Sequence, residues 1–430
     1  MSGRVGRGTR FALDGATGVR ASRATAGVRS SAVLACQYGA QADDATVGRV
    51  AGRRLLGADL RVALIVDLAV LTAAVRDRCH GCRGSAAPLL VPRGTMPEAA
   101  GPTGDRRAGS ELPEECGLMH LPTHDEAARL VRRWIRGADP RPLGRGMEGL
   151  VYEIDQDRVA KVWFGESATA LRRTRAFYDA LAGRPFGFEV PRIHEVHVVE
   201  GRCVTIERRL GGSPLADHVE SGGVTVDEAQ STFLDVLSRL GTGGPLPEGR
   251  AMPVMDEEAS LYDAAEDFPM ALHALAERRV TRFRGVLEPA VEDLDKKVTA
   301  LRGRLCEVDS GRRSVVHGDL TPGNVLVDAA GSPTAVLDWG FLTTEGDPVF
   351  DASVAASIFD MYGERALETE LGLYARIEER LGCEREALLV YRAAYALVTA
   401  NAYDAAGEDG HFAWCAAALN RPDIVRALLG

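Results

Sequence analysis

The chain has 430 residues, 46% hydrophobic and 26% charged, with a net charge of −10 at pH 7. That composition is ordinary for a folded domain with a sizeable core and excludes a wholly disordered chain. The acidic balance argues against nucleic acid as the partner, since phosphate backbones are bound through surplus Lys and Arg. Only three lysines occur, Lys161, Lys296 and Lys297, against 48 arginines. An isolated lysine therefore carries weight, because a compact ammonium is not interchangeable with a guanidinium.

Residues 1–118 hold 16 Arg and 11 Asp/Glu and are rich in Gly, Ala, Ser and Pro, with poor periodicity outside Leu60–Val75. They read as an extension, disordered or loosely attached. A sharper expectation is that the natural start is Met119, with the upstream stretch translated leader. The apolar run Val62–Val75 contains Asp67 and falls short of the roughly 20 residues that a membrane span needs. One Cys79-His80-Gly81-Cys82 pair without a second is weak ground for metal or redox chemistry. With no apolar signal segment at the N-terminus, a cytoplasmic location with free thiols is expected.

From His124 the pattern becomes regular. Asp125–Arg136 has helical spacing, a glycine-rich turn follows, and Leu150–Ile154 and Arg158–Phe164 read as strands around Asp155-Gln156-Asp157. Ala168–Ala182 reads as a helix, and Glu195–Val199 with Cys203–Arg208 as a hairpin closed by Gly211-Gly212. Beyond this, helices are expected over Val226–Leu240, Asp256–Arg279, Thr281–Cys306, Ser353–Leu381, Glu384–Ala405 and His411–Leu429. Short apolar runs at Ser314–Val316, Asn324–Val327 and Thr334–Leu337 interrupt them. The fold class expected is α+β and bilobal: a β-rich N-lobe over 119–212 and a mainly helical C-lobe over 213–430.

Three clusters carry chemistry. Gly144-Arg145-Gly146-Met147-Glu148-Gly149-Leu150-Val151 fits GxGxxGxV. It continues as a strand, which disfavours a dinucleotide fingerprint, where a helix would open, and suits a loop folded over ATP phosphates. Lys161, in Val159-Ala160-Lys161-Val162, is the only lysine in the first 295 residues and lies in the next strand, placed to reach phosphates. A Walker A loop is excluded, as no lysine follows a glycine. Finally, Val316-His317-Gly318-Asp319-Leu320-Thr321-Pro322-Gly323-Asn324 sets a carboxylate and a carboxamide five positions apart, and Asp338-Trp339-Gly340 follows the next strand pair. Phosphoryl transfer needs a group that orients the acceptor hydroxyl and takes its proton, and oxygen ligands for Mg²⁺. Asp319, Asn324 and Asp338 form such a set.

With its HGDLxxxN and DWG pairing, the chain from about Leu143 onward resembles the aminoglycoside phosphotransferase-like family, relatives of the protein kinases that include choline, homoserine and fructosamine kinases. The resemblance implies a protein-kinase-like fold, ATP and Mg²⁺ as cofactors, and a hydroxylated small molecule as acceptor. Carried over, it makes Asp319 the catalytic base, Asn324 and Asp338 the metal ligands, and Lys161 the phosphate anchor. Gly144, Gly146 and Gly149 would form the phosphate-covering loop, and Thr205–Leu210, with Glu207 and Arg209, the hinge that meets adenine. Gly318 stands where protein kinases carry Arg, and Asp338-Trp339-Gly340 runs into Gly346-Asp347-Pro348 without room for an activation loop. A small-molecule kinase is thus expected, and a nucleotide-binding regulator without turnover is the alternative. The alternative draws on one departure: Thr174 stands where the small-lobe helix should offer a Glu to Lys161, Asp179 points away, and Glu166 is too near the strand to assign. Glu345, Asp347, Asp351, Asp360, Asp404, Glu408 and Asp409 could hold a polycationic acceptor, but read better as caps and solvated faces. Asp351 reads as structural, and His411, Trp414 and Cys415 as a core-facing stripe.

Overall fold

The computed structural model describes residues 121–135, 139–146 and 148–430. The expectations for the extension, the Met119 start and the Cys79–Cys82 pair lie outside these residues. Among the described residues no helix is long and apolar enough to cross a membrane.

The first lobe is an antiparallel five-stranded sheet with a helix against each end of its connectivity. Helix α1 (His124–Trp134) is started by a capping box in which Thr123 and Glu126 bond each other's backbone N–H groups. Strands β1 (Arg141–Arg145), β2 (Gly149–Glu153) and β3 (Arg158–Trp163) follow, then helix α2 (Ala168–Leu181) and the hairpin β4 (Ile193–Val199) and β5 (Arg202–Arg208). The sheet order is β1-β2-β3-β5-β4.

Strand alternation decides which side chains face what. Leu150, Tyr152, Ala160, Val162, Val204 and Ile206 share one face and pack with Ala127, Ala128, Leu130 and Val131 of α1 into a small core. The intervening residues must then face the other way. Val151 pairs across to Lys161, and Lys161 to Thr205, so the lysine stands on the face that α1 does not cover.

The second lobe opens with β6 (Ser213–Pro214) and the short helix α3 (Leu215–Glu220), then α4 (Val226–Thr242), which begins with a second capping box, Thr225 with Glu228. Two short 3₁₀ turns at 247–251 and 261–263 lead to α5 (Phe268–Ala290) and α6 (Leu294–Val308). Strands β7 (Ser314–Val316), β8 (Val325–Val327), β9 (Pro333–Val336) and β10 (Thr344–Gly346) follow. Helices α7 (Pro348–Ile358), α8 (Ala366–Leu381), α9 (Arg385–Thr399), α10 (Gly410–Leu419) and α11 (Pro422–Leu429) complete the chain. Every residue of α9 from Ala387 to Thr399 is buried, so this helix is the axis of the lobe's core.

Several boundaries differ from the periodicity. The helix expected from Asp256 begins at Phe268, where Asp267 caps it and Pro269 fits its first turn. Asp256 instead pairs with Arg279 and Arg282. The break expected near Arg279 falls later: the helix bends at Phe283 and ends at Ala290, and Asp293 takes a left-handed conformation. The long C-terminal patterns split at 359–365 and at Asn420-Arg421, where Pro422 opens a new helix. Strand β1 gave no apolar alternation because it is an exposed edge strand, and the three-residue β10 is buried throughout.

Candidate active site

The four short strands of the second lobe explain how two distant stretches meet. Strand β7 pairs with β10, and β8 pairs with β9. The segment 317–324 runs from β7 to β8, and 337–343 from β9 to β10, so both loops are held side by side by pairing at each end. His317 ties them together. It is fully buried, Nε2 donates to Leu337 O at 2.8 Å, and Nδ1 accepts from the Asp319 N–H at 3.2 Å. A carbonyl can only accept and an amide N–H can only donate, so these partners fix the tautomer. Burial lowers its pKa to about 4, which keeps the ring neutral as this bonding requires. Its ring also packs against Trp339 at 4.5 Å.

Gly318 has φ +76°, and a Cβ there would lie 2.6 Å from the Leu342 carbonyl oxygen. This contact accounts for Gly where protein kinases carry Arg. The Gly318 N–H donates to Asp351 Oδ1 at 2.9 Å, so Asp351 is a buried support for the loop. Gly318→Ala should therefore lower stability by about 2–4 kcal/mol, the sum of left-handed strain and overpacking. Urea unfolding measures it, and an unchanged midpoint would contradict the contact.

Asn324 is fully buried; its Nδ2 donates to Asp319 O at 2.9 Å, and its Oδ1 has no hydrogen-bond partner. A buried carboxamide oxygen without a donor is unfavourable by about 1–3 kcal/mol unless something else binds it. Leu337 N donates to Asn324 O at 2.8 Å, which brings the start of the second loop, and hence Asp338, alongside. Asp338 adopts φ +62°, a conformation that costs a non-glycine residue about 1–3 kcal/mol. The residue as a whole is exposed, yet desolvation by the groups packed round its carboxyl, then the charge of Glu148, raise its pKa, with Lys161 opposing. Burial and then Asp338 raise Asp319 well above the usual carboxylate range. An amide oxygen and a carboxylate beside it suit a hard divalent cation such as Mg²⁺, which takes one or two protein oxygens and completes its shell with water and phosphate.

On the first lobe, within electrostatic reach of Asp338, stands Lys161. Its Nζ lies 2.7 Å from Glu148 Oε2 and 3.6 Å from the centre of the Trp163 ring. Burial works to lower its pKa, but Glu148, Glu207 and Asp338 together outweigh it, so the ammonium stays charged. Glu207, raised by burial and steadied by Lys161, also accepts from Thr205 Oγ1. The structure thus gathers Lys161, Glu207, Asp319, Asn324 and Asp338 into one electrostatic neighbourhood.

The glycines fall as expected for a tight hairpin. Gly144 pairs with Val151 in β1, the Gly146 N–H donates to Gly149 O at 2.9 Å, and Gly149 pairs with Trp163. A Cβ on Gly149 would lie 2.5 Å from Val162 O, so only glycine allows β2 to meet β3 there. Arg209 is not brought to the cluster: its N–H donates to Asp157 O at 2.8 Å and its guanidinium pairs with Glu153 at 3.3 Å.

Glu148 is the residue that sequence reasoning missed. Thr174 Oγ1 bonds back to Ala170 O, and Asp179 lies 3.9 Å from Arg175, so neither serves the lysine. The available signal was register: Phe164 N donates to Glu148 O, which sets residue 148 beside the end of the lysine's strand. A groove of about 740 Å³ at the lobe junction, lined by Gly187, Glu189, Gly212, Asp328 and Thr334, takes in none of these residues.

Two lobes, a glycine hairpin over a charged lysine, and two acidic loops below it define a phosphotransferase of the protein-kinase-like fold. The family described as the APH phosphotransferase enzyme family matches residues 139–386, more than half of the chain, and the chain belongs to it. No curated protein matches the sequence. Among solved structures, the chain is similar to aminoglycoside phosphotransferase APH(3'')-Id from Streptomyces rimosus, at 17% identity and TM-score 0.44, over 63% of this chain and 96% of that one. It is similar to ADP-bound aminoglycoside phosphotransferase APH(2'')-Ib at 14% identity and TM-score 0.45, over 71% and 97%. A third is the macrolide 2'-phosphotransferase MphH from Brachybacterium faecium, at 20% identity and TM-score 0.41, over 69% and 99%.

Proposed function

We propose that the protein moves the γ-phosphate of ATP to a hydroxyl of a small molecule. The observation that carries this reading is the buried, partnerless Oδ1 of Asn324, on a side chain bonded to the Asp319 carbonyl, with Asp338 close enough to Lys161 for their charges to interact. In this reading residues 119–212 bind nucleotide and 213–430 hold the acceptor. Gly144, Gly146 and Gly149 let backbone N–H groups approach the phosphates, and Lys161 offers them a positive charge. Glu207 keeps that charge in place from β5, and the Arg209 segment borders the adenine side. Asn324 and Asp338 would hold Mg²⁺, which when bound neutralises phosphate charge as it develops. Asp319 orients the acceptor hydroxyl and takes its proton. The raised pKa of Asp319 follows partly from Asp338, so whatever compensates Asp338 also eases Asp319 toward its ionised form.

Glu148 takes the part of the missing helix acid, which removes the main ground for a non-catalytic reading. Glu148→Gln should lower kcat/KM for ATP about fivefold, a charge-assisted bond discounted for an acid half open to solvent. Thr174→Ala should leave it unchanged. Equal kinetics for wild type and Glu148→Gln would remove the assignment. The function itself is tested by supplying γ-labelled ATP and Mg²⁺ with a panel of hydroxylated antibiotics and metabolites. Label should enter a small molecule; nucleotide binding with no transfer to any acceptor would favour the regulator instead.

A further inference from the structure

Most of the carboxylates able to receive a polycation already serve protein donors, although Glu345 Oε2 and Asp409 Oδ2 are buried without a hydrogen-bond partner. Asp347 accepts from Ser310 N, Ser310 Oγ, Val349 N and Tyr391 OH. Asp404 accepts from the backbone of Ala406 and Glu408, Asp409 caps α10 through Phe412 N, Asp360 accepts from Thr369, and the buried Glu345 pairs with Arg250. Aromatic rings gather beyond Asp338 instead. Phe341, three residues beyond Asp338, stacks on Tyr403 with ring centres 6.2 Å apart and planes within 5°. Tyr403 meets the edge of His411 at 5.0 Å, Tyr362 OH lies 3.2 Å from His411 Nδ1, and Trp414 backs His411 at 5.4 Å. Burial of their oxygen ends raises the Tyr362, Tyr395 and Tyr403 hydroxyls, and the charge of Asp319 contributes to all three.

Exposure separates wall from support. His411 and Tyr395 are buried, as a core stripe should be. Tyr362 and Tyr403 are 47% and 51% exposed, and only Trp134 joins them among the exposed large aromatics of the described residues. Two of three such rings are therefore tied, through Phe341 and His411, to the loop that carries Asp338, and clustered exposed aromatics mark binding surfaces. Behind Trp414 lies the fully buried Arg392, its guanidinium 3.8 Å from the ring centre. Arg392 in turn lies 3.8 Å from the buried Glu370, so its charge is balanced from behind.

We propose that Phe341, Tyr362 and Tyr403 form the acceptor subsite, and that the acceptor is an uncharged alcohol carrying an apolar ring, not a polyamine sugar. This rests on the phosphotransfer reading for Asp319, and its test is kept separate from turnover. The full-length protein, with Mg²⁺ and a non-hydrolysable ATP analogue, is titrated with phenyl β-glucoside, methyl β-glucoside and kanamycin, and followed by ligand-observed NMR. The phenyl glucoside should bind about tenfold more tightly than the methyl glucoside and more tightly than kanamycin. Tyr403→Ala should remove most of that preference and Tyr403→Phe retain it, with nucleotide affinity unchanged in both. Equal binding of the two glucosides, no binding of the phenyl glucoside, tighter binding of kanamycin, or indifference to Tyr403→Ala would each overturn the subsite. If nucleotide fails to bind while the phenyl glucoside does, the phosphotransfer reading falls and the ring site stands.

Discussion

Asp319→Asn should lower turnover by about 10²–10⁴-fold, the range for losing a positioned general base, equal to about 3–5 kcal/mol of barrier. The fold should not change. Residue 319 supports the loop through its backbone, the N–H donating to His317 and the carbonyl accepting from Asn324, and an asparagine keeps both bonds. Nucleotide affinity should stay within about twofold, because the groups proposed to face the phosphates, Lys161 with Glu148 and Glu207, are untouched. The measurement is kcat with saturating Mg²⁺ and ATP, using water as acceptor where no better one has been found, beside calorimetric binding of nucleotide. Wild-type turnover in the variant would remove Asp319 from its role. A parallel loss of nucleotide binding would show that the side chain holds the loop.

Much of this arrangement was legible because its parts are local. The GxGxxGxV hairpin, the lone lysine in the following strand, and the HGDLxxxN and DWG loops each span a few residues, and strand alternation alone puts Lys161 opposite the α1 face. What escaped depends on long-range register or on the fate of side chains. Glu148 reaches Lys161 only because β2 and β3 pair as they do. Arg209 was expected in a hinge by motif position, but its guanidinium follows Glu153 of β2. Helix ends were misplaced where apolar periodicity continues across a break, as at Pro422, or where a cap and a proline start the helix late, as at Asp267. The acceptor wall was missed for a related reason. Phe341, Tyr362 and Tyr403 are spread over three connecting segments, and no helical or strand period links them.

The left-handed backbone at Asp338 makes the choice of variant there decisive. Alanine would add strain to loss of charge, whereas asparagine tolerates φ +62° better than other residues, so Asp338→Asn isolates the carboxylate. Two effects then oppose each other. Removing the charge relieves Asp319, whose pKa Asp338 raises, and this by itself would help the base. Removing it also leaves Asn324 as the remaining oxygen of the pair, and a metal's charge stabilisation is worth several kcal/mol in the transition state. Burial, not Asp338, is the larger cause of the raised Asp319, so the relief is partial and the loss should dominate. We expect turnover about 10²–10³-fold lower and a clear rise in the Mg²⁺ concentration needed for nucleotide binding, with circular dichroism and the urea midpoint little changed. An unaltered Mg²⁺ titration would mean that the cation sits elsewhere. Faster turnover would mean that repulsion between Asp338 and Asp319 had limited the wild-type enzyme.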